Sequence, residues 1–280
     1  MGILYIVPTP LGNLEDMTLR ALRILRESVL IATEDTRTTG RLLKHYDIQG
    51  TFISFHEHSR PAQVEQILAT LTEGDVALVS EAGTPLLSDP GYELVQAAIQ
   101  NSIPVVALPG PNAVTTALAV SGLPPYPFLF AGFLPRKAYE RRNFLKSLAD
   151  QSATLVFFES PHRFQSALAD IANVLGEARS IAICREMTKL HEEIWRGTLA
   201  EALSEWDARP PRGEFTLVVE GALPESEWSQ SQVEMALKDA FAAGKTSKDA
   251  VNQVKKQSGW PKREVYALAQ TIKSSNHSAR

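Results

Sequence analysis

Five times between residues 3 and 120 the chain repeats one figure. A short apolar run gives way to a loop of residues that cannot continue a regular element, and then to a segment with apolar residues at helical spacing. The runs at 3–7, 29–33, 51–55, 76–80 and 105–108 suit single buried strands and are too short for buried helices. Helical spacing follows through about residue 27, at 38–46, 62–71 and 92–100, and up to residue 120. Asp16 and Thr18 are cap candidates for the first of these helices. Strictly alternating strand and helix predicts an α/β class with a mostly parallel sheet covered by helices.

Three of the loops carry more breakers than a turn needs. Residues 76–91 read V-A-L-V-S-E-A-G-T-P-L-L-S-D-P-G, so eleven residues from Glu81 to Gly91 separate a strand from a helix. An ordinary βα connection takes about two to six. P-T-P-L-G-N-L at 8–14 and P-G-P-N at 109–112 repeat the pattern after the first and fifth strands. Ligands of open α/β sheets bind outside the carboxyl ends of the strands, where these loops lie.

After S-G-L-P-P-Y-P at 121–127 the rhythm changes. Strand runs at 128–131, 154–159, 180–185, 193–198 and 215–220 lie closer together, with helices at 139–149 and 163–175, which predicts a mixed sheet with antiparallel pairs. Three amphipathic helices follow at 232–243, 247–257 and 262–272. The expected organisation is an N-terminal α/β domain at 1–123, a second α/β domain at 124–224 with a ligand cleft between the two, and a basic helical module, helix-turn-helix-like, at 225–280.

Charge sharpens that division. Residues 238–280 hold nine Lys or Arg against three Asp or Glu, while the preceding part holds 19 against 29. A basic tail on an acidic body points to a polyanionic partner. Cys184 is the single cysteine, so an internal disulfide is excluded and it reads as a small buried strand residue. No apolar run approaches the ~20 residues of a membrane span. The first residues enter a strand without a secretory leader, so a cytoplasmic location is expected.

Phosphate-loop, G-x-G-x-x-G, C-x-x-C, H-E-x-x-H and G-x-S-x-G signatures are all absent. His56 and His58 flank Glu57 at a strand end, a poor metal cage, and no metal is expected. What remains is loops that offer main-chain amides and carbonyls with few ionisable groups. They suit a cofactor held by shape and backbone, of which S-adenosyl-L-methionine is the phosphate-poor candidate.

P-T-P-L-G-N-L-E-D-M-T, A-T-E-D-T-R, V-S-E-A-G-T-P-L-L-S-D-P-G, L-P-G-P-N-A, F-F-E-S-P-H-R, C-R-E-M-T-K-L-H-E-E and R-G-E-F-T-L-V-V-E-G occur in that order across residues 2–221. This series resembles the tetrapyrrole-methylase superfamily. Within it, the chain is similar to the bacterial enzymes that methylate the ribose 2′-hydroxyl of a cytidine in the decoding centre of small-subunit (16S) ribosomal RNA. The resemblance implies two α/β domains, S-adenosyl-L-methionine in the cleft between them, a homodimer, and a substrate inside the small ribosomal subunit. Carried over residue by residue, the cofactor contacts fall on Leu11, on Ala82, Gly83, Thr84, Pro85 and Leu87, and on Asn112 and Ala113. In the second domain they fall on Phe158, Met187, and Gly213 and Thr216 of the 213–216 segment. Thr84 stands where relatives carry an acid, so any hydrogen bond made by that acid must be remade or lost.

A ribose hydroxyl is a weak nucleophile and calls for a general base or a group that stabilises alkoxide. Candidates are Glu34, Asp35 and Arg37; Glu159, His162 and Arg163; and Arg185 with Glu186, of which Glu34, Arg37, Glu159 and Arg185 lead. Arg37 and Arg163 equally suit pairing with nearby carboxylates. Arg136, Lys137, Arg141 and Arg142, interleaved with Tyr139 and Phe144, make an RNA-binding stretch or a solvated amphipathic helix. Lys255, Lys256, Lys262 and Arg263 in the tail are candidate phosphate contacts. Two other functions stay open on the residues alone: a methylase of a tetrapyrrole or other small molecule, and a non-enzymatic rRNA-binding protein.

Overall fold

The computed structural model describes residues 2–56, 61–222 and 228–277. The chain divides into two compact units, Met1–Gly221 and Ala222–Arg280.

The larger unit begins with a parallel sheet of β1 (Leu4–Ile6), β2 (Leu30–Thr33), β3 (Phe52–Ser54), β4 (Val76–Val79) and β5 (Val105–Ala107), in the order β3-β2-β4-β1-β5. Leu4 pairs with Val76 on one side and Val105 on the other. Every residue of β2 and β4 is buried, as expected where helices cover both faces of a parallel sheet. Side chains alternate along β4: Val76 and Leu78 join the core under α3 (Pro61–Thr70) and α4 (Tyr92–Gln100). Ala77 and Val79 join the core under α1 (Leu19–Glu27) and α2 (Thr36–His45). Thr18 starts α1 by accepting a hydrogen bond from the Ala21 amide.

The second sheet holds β6 (Phe128–Phe133), β7 (Thr154–Glu159), β8 (Ser180–Arg185), β9 (Glu193–Thr198) and β10 (Phe215–Val219), in the order β6-β7-β10-β8-β9. Only β6 and β7 are parallel; the other pairs are antiparallel, so the sheet is mixed. One face packs on α6 (Ala138–Leu148), α7 (Phe164–Leu175) and α8 (Leu199–Asp207) through Leu155, Phe157, Leu217 and the fully buried Trp206. No segment assigned from spacing corresponds to α8, although Leu199, Ala202 and Trp206 fall on one helical face. The helix is also opened by a capping box in which Thr198 and Glu201 satisfy each other's amides.

The other face of the second sheet is covered by a helix from the first half. On α5 (Ala113–Ser121), Val114, Ala117 and Leu118 pack against Val156, Ala182, Cys184 and Val218. Arg196 of β9 donates from Nε to the last carbonyls of α5, Val120 at 3.0 Å and Ser121 at 3.2 Å. The second sheet shares this core with α5, and both sheets belong to one compact unit.

Among its described residues the smaller unit is three helices, α9 (Gln230–Ala242), α10 (Ser247–Ser258) and α11 (Lys262–His277). They enclose Val233, Leu237, Val251, Val254 and Val265. Trp260 packs on that core, and its indole Nε1 donates to the Trp228 carbonyl at 2.6 Å. Among the described residues no helix is long and apolar enough to cross a membrane.

Candidate active site

Three loops leave the carboxyl ends of β1, β4 and β5, and short polar groups tie them together. The Thr9 amide donates to the Gly83 carbonyl and the Gly83 amide to the Thr9 carbonyl, each at 2.9 Å. Gly83 sits at φ +81°, and a Cβ there would lie 3.1 Å from Leu11 Cδ2, so the bridge needs glycine. Thr84 Oγ1 donates to the Pro111 carbonyl at 3.0 Å and accepts from Asn112 Nδ2 at 3.2 Å. Asn112 Oδ1 in turn accepts from the amides of Val114 and Thr115 at 3.0 and 3.1 Å and starts α5. Thr84 thus joins the β4 loop to the β5 loop.

Above this floor lies a cavity of about 340 Å³, within the ~300–1,000 Å³ of small-molecule sites. Leu11, Ala82, Gly83, Thr84, Leu87, Asn112 and Ala113 line it from the first sheet's loops. Phe133, Phe158, Glu159 and Thr216 line it from the second sheet, with Phe158 edge-on to Phe130 and Phe133 at 4.8 and 5.7 Å between ring centroids. The structure thereby brings together residues chosen from five of the sequence segments.

Three of the expected cofactor contacts are not wall residues. Pro85 is buried beneath the loop. Met187 packs into the core shared by α5 and the second sheet. Gly213, at φ +83°, lets the Glu214 amide donate to Glu186 Oε1 at 3.0 Å, and a Cβ there would collide with the Glu186 side chain.

Of the candidate catalytic groups, Glu159 alone lies on the wall. It is 2% exposed; its Oε1 accepts from the Ser160 amide at 2.7 Å and pairs with Arg163 at 2.7 Å. Its Oε2 is buried without a hydrogen-bond partner. Burial raises the Glu159 pKa against the opposing pull of the Ser160 amide and Arg163. Arg185 is occupied elsewhere, donating to the Arg212 carbonyl at 2.7 Å and pairing with Glu193 at 3.2 Å. Arg37 is exposed and lies 3.5 Å from Asp35, whose Oδ1 accepts from the Arg37 amide and caps α2. Glu34 is exposed at the end of β2 and does not line the cavity, although its charge acts on Asp89, which does. Glu34, Arg37 and Arg185 thus lie off the cavity wall.

Sequence reasoning passed over Asp89. This half-buried carboxyl lines the cavity, and its pKa is pushed up to about 6, by burial first and then by the charge of Glu34. Its signal was its place in S-D-P-G inside the breaker loop, where an aspartate reads as a turn former.

Arg141 requires a correction as well. It is 4% exposed and holds Asp170 in a buried pair at 2.6 Å, so it braces α6 on α7 and has no surface to offer RNA. Phe144 packs against the same core. Arg136, Lys137 and Arg142 are exposed, as are Lys255, Lys256, Lys262 and Arg263 on the smaller unit. Among the described residues no group of three or more His, Cys, Asp or Glu is placed to hold a metal ion. Glu57 and His58 lie outside the described residues.

A parallel sheet whose carboxyl-end loops face a mixed sheet across a small-molecule cavity defines a two-lobed α/β ligand-binding architecture. Residues 3–203 match the family described as Tetrapyrrole (Corrin/Porphyrin) Methylases, and the chain belongs to that family. It is 47% identical over 273 residues to "Ribosomal RNA small subunit methyltransferase I" of Halalkalibacterium halodurans, covering 95% of this chain and 94% of that protein. The protein of the same name in Synechocystis is 44% identical over 96% of this chain and 98% of its own. The one in Thermotoga maritima is 50% identical over 222 residues, 79% of this chain and 99% of its own. Among solved structures, cobalt precorrin-4 methyltransferase superposes with a TM-score of 0.56 at 17% identity, over 78% of this chain and 94% of that one, a likeness of fold.

The chain is accordingly a methyltransferase whose donor is S-adenosyl-L-methionine. The cavity fits that molecule. Glycine-bearing backbone and aliphatic side chains form its floor, Phe158 and Phe133 offer aromatic surface, and the unpartnered Oε2 of Glu159 is an acceptor for an ammonium or hydroxyl group.

Proposed function

We propose that this enzyme methylates a ribose 2′-hydroxyl of small-subunit ribosomal RNA, on a cytidine of the decoding centre. The observation that carries the reading is the 47% identity, over nearly the whole of both chains, to a protein named for that substrate class. Exposed Arg136, Lys137 and Arg142, together with Lys255, Lys256, Lys262 and Arg263 of the smaller unit, supply phosphate contacts. The Thermotoga relative bears the same name at about the length of the larger unit. On this reading the smaller unit adds affinity for RNA rather than chemistry. A cytoplasmic homodimer, working on the small subunit, completes the reading.

The bound donor supplies an activated methyl group, so the protein's task is largely positioning. Leu11, Ala82, Gly83 and Leu87 hold the donor from below, and Phe158 and Thr216 hold it from above. Asn112 and Ala113 present the start of α5, and Glu159 Oε2 accepts from a donor hydroxyl or ammonium. Pro85, Met187 and Gly213 keep those contacts in place. The test is transfer of labelled methyl from S-adenosylmethionine to small subunits taken from cells lacking the enzyme, followed by nucleoside mass spectrometry. Label on a cytidine ribose is expected. Label on a tetrapyrrole precursor instead, or no affinity for the donor in calorimetry, would reverse the reading.

A further inference from the structure

Beside the donor cavity lies a second pocket of about 360 Å³, lined by Phe55, His56, Pro90, Tyr92 and Glu93. Ser88 and Asp89 belong to the walls of both. A methyl transfer needs its two reacting atoms about 3 Å apart, so donor and acceptor must meet where their pockets share a wall. We propose that Asp89 takes the proton from the acceptor hydroxyl, and that the pocket of Phe55, His56 and Tyr92 receives the acceptor nucleoside. The inference rests on the RNA reading above and names the acceptor end of that same site.

Three observations carry it. Two exposed rings, His56 and Tyr92 (65% exposed), line the pocket beside Ser88 and Asp89, and aromatic faces receive unstacked bases. A third cavity, about 260 Å³, also touches the donor site, through Glu81, but Thr9, Thr38, Thr39, Arg41 and Leu42 around it offer no ring to stack on. The backbone entering Asp89 is held in an uncommon conformation, with Leu86 at φ +74° and Ser88 at φ +71°. Two such non-glycine residues persist only where the surroundings over-determine them, and they cluster at reacting centres. The second sheet helps to fix this segment: Gly132, at the irregularity in β6, comes so close that a Cβ there would lie 3.2 Å from Ser88 Oγ.

The charges acting on Asp89 come from Glu34 at the end of β2 and Glu81 in its own loop, opposed by the neighbouring Ser80 side chain. His56 and Glu93 line the pocket on its other side. In the step, the acceptor oxygen forms the bond to the methyl carbon, and the carbon–sulfur electron pair stays on the donor's sulfur, which becomes a neutral thioether. The hydroxyl proton passes to an Asp89 carboxylate oxygen and leaves to solvent after product release.

The test is single-turnover methyl transfer to unmodified small subunits across pH 5 to 8, with wild type, Asp89→Asn, Asp89→Glu and Tyr92→Ala. Wild-type rate should rise with pH through a midpoint near 6, where the Asp89 carboxyl titrates in ¹³C NMR, its signal assigned by its loss in Asp89→Asn. Asp89→Asn should lower the rate by about 100-fold and remove the midpoint, and Asp89→Glu should restore part of it. Affinity for S-adenosylhomocysteine, read by calorimetry, should hold within about threefold and report an intact cleft. Tyr92→Ala should raise KM for the subunit by about tenfold with little change in kcat. An unaltered midpoint and rate in Asp89→Asn, or a wild-type carboxyl that titrates near 4, would overturn the role of Asp89. An unaltered KM in Tyr92→Ala would overturn the pocket. If wild type transferred no methyl to the subunit, the functional reading and this inference would fall together.

Discussion

The loops after β1, β4 and β5 hold their shape with backbone amides and short neutral side chains, Thr9, Thr84 and Asn112 among them. The lobe built on the second sheet is braced by charges instead: Arg141 on Asp170 between α6 and α7, Arg163 on Glu159 at the cavity, and Lys189 between Glu186 and Glu214. The contrast follows from what each region faces. A sulfonium donor gripped by main chain needs close approach and fixed backbone, which glycine and small polar residues provide. Helices stacked on a mixed sheet instead leave polar termini and long side chains to be neutralised in place. Damage to the first lobe should therefore appear chiefly as lost donor affinity, and damage to the second as lost stability.

The largest effect expected is from Arg141→Ala, which leaves Asp170 buried with only Arg142, 3.4 Å away. It should cost about 3–5 kcal/mol in denaturant unfolding, while RNA affinity of the folded fraction stays unchanged. A loss of RNA affinity without a loss of stability would break the comparison. Thr84→Val removes both the donor to Pro111 and the acceptor for Asn112. About 1–3 kcal/mol is expected, seen mainly as weaker S-adenosylmethionine binding in calorimetry.

Asp89→Asn is a finer probe. The folded pKa of Asp89 is raised from 3.8 to about 6, so its ionisation in the native state opposes folding. That penalty is absent below the unfolded value and fully present above the folded one. The variant should gain stability on the order of 1 kcal/mol above pH 6, after discounting for solvent screening, and nothing below pH 4. Thermal unfolding at several pH values checks both the sign and the window. The smallest effect belongs to Lys137→Ala, which removes an exposed pair with Glu140 at 3.0 Å. About 0.5 kcal/mol or less is expected, and a larger loss would mean that exposed pairs also brace the second lobe.

Much of the fold was legible because it is local. Apolar runs of strand length, helical spacing and breaker loops marked both sheets, and T-L-A-E offered the capping box of α8 to any reading that looked for it. The three breaker loops marked the floor of the cavity, since they leave the carboxyl ends of parallel strands, where ligands of open α/β sheets bind. Arg141 was not legible as a brace, because its partner Asp170 is 29 residues away on the next helix. Asp89 was hidden for the same reason: its raised pKa comes from burial and from Glu34 on another strand.

By itself, then, the order of residues determined where strands, helices and bends occur, since those depend on near neighbours along the chain. Tertiary structure decided which cation is buried, which carboxyl is shifted and which loops share a cavity wall. Burial and electrostatic fields are sums over groups that meet in space, and those groups are scattered along the chain until it folds.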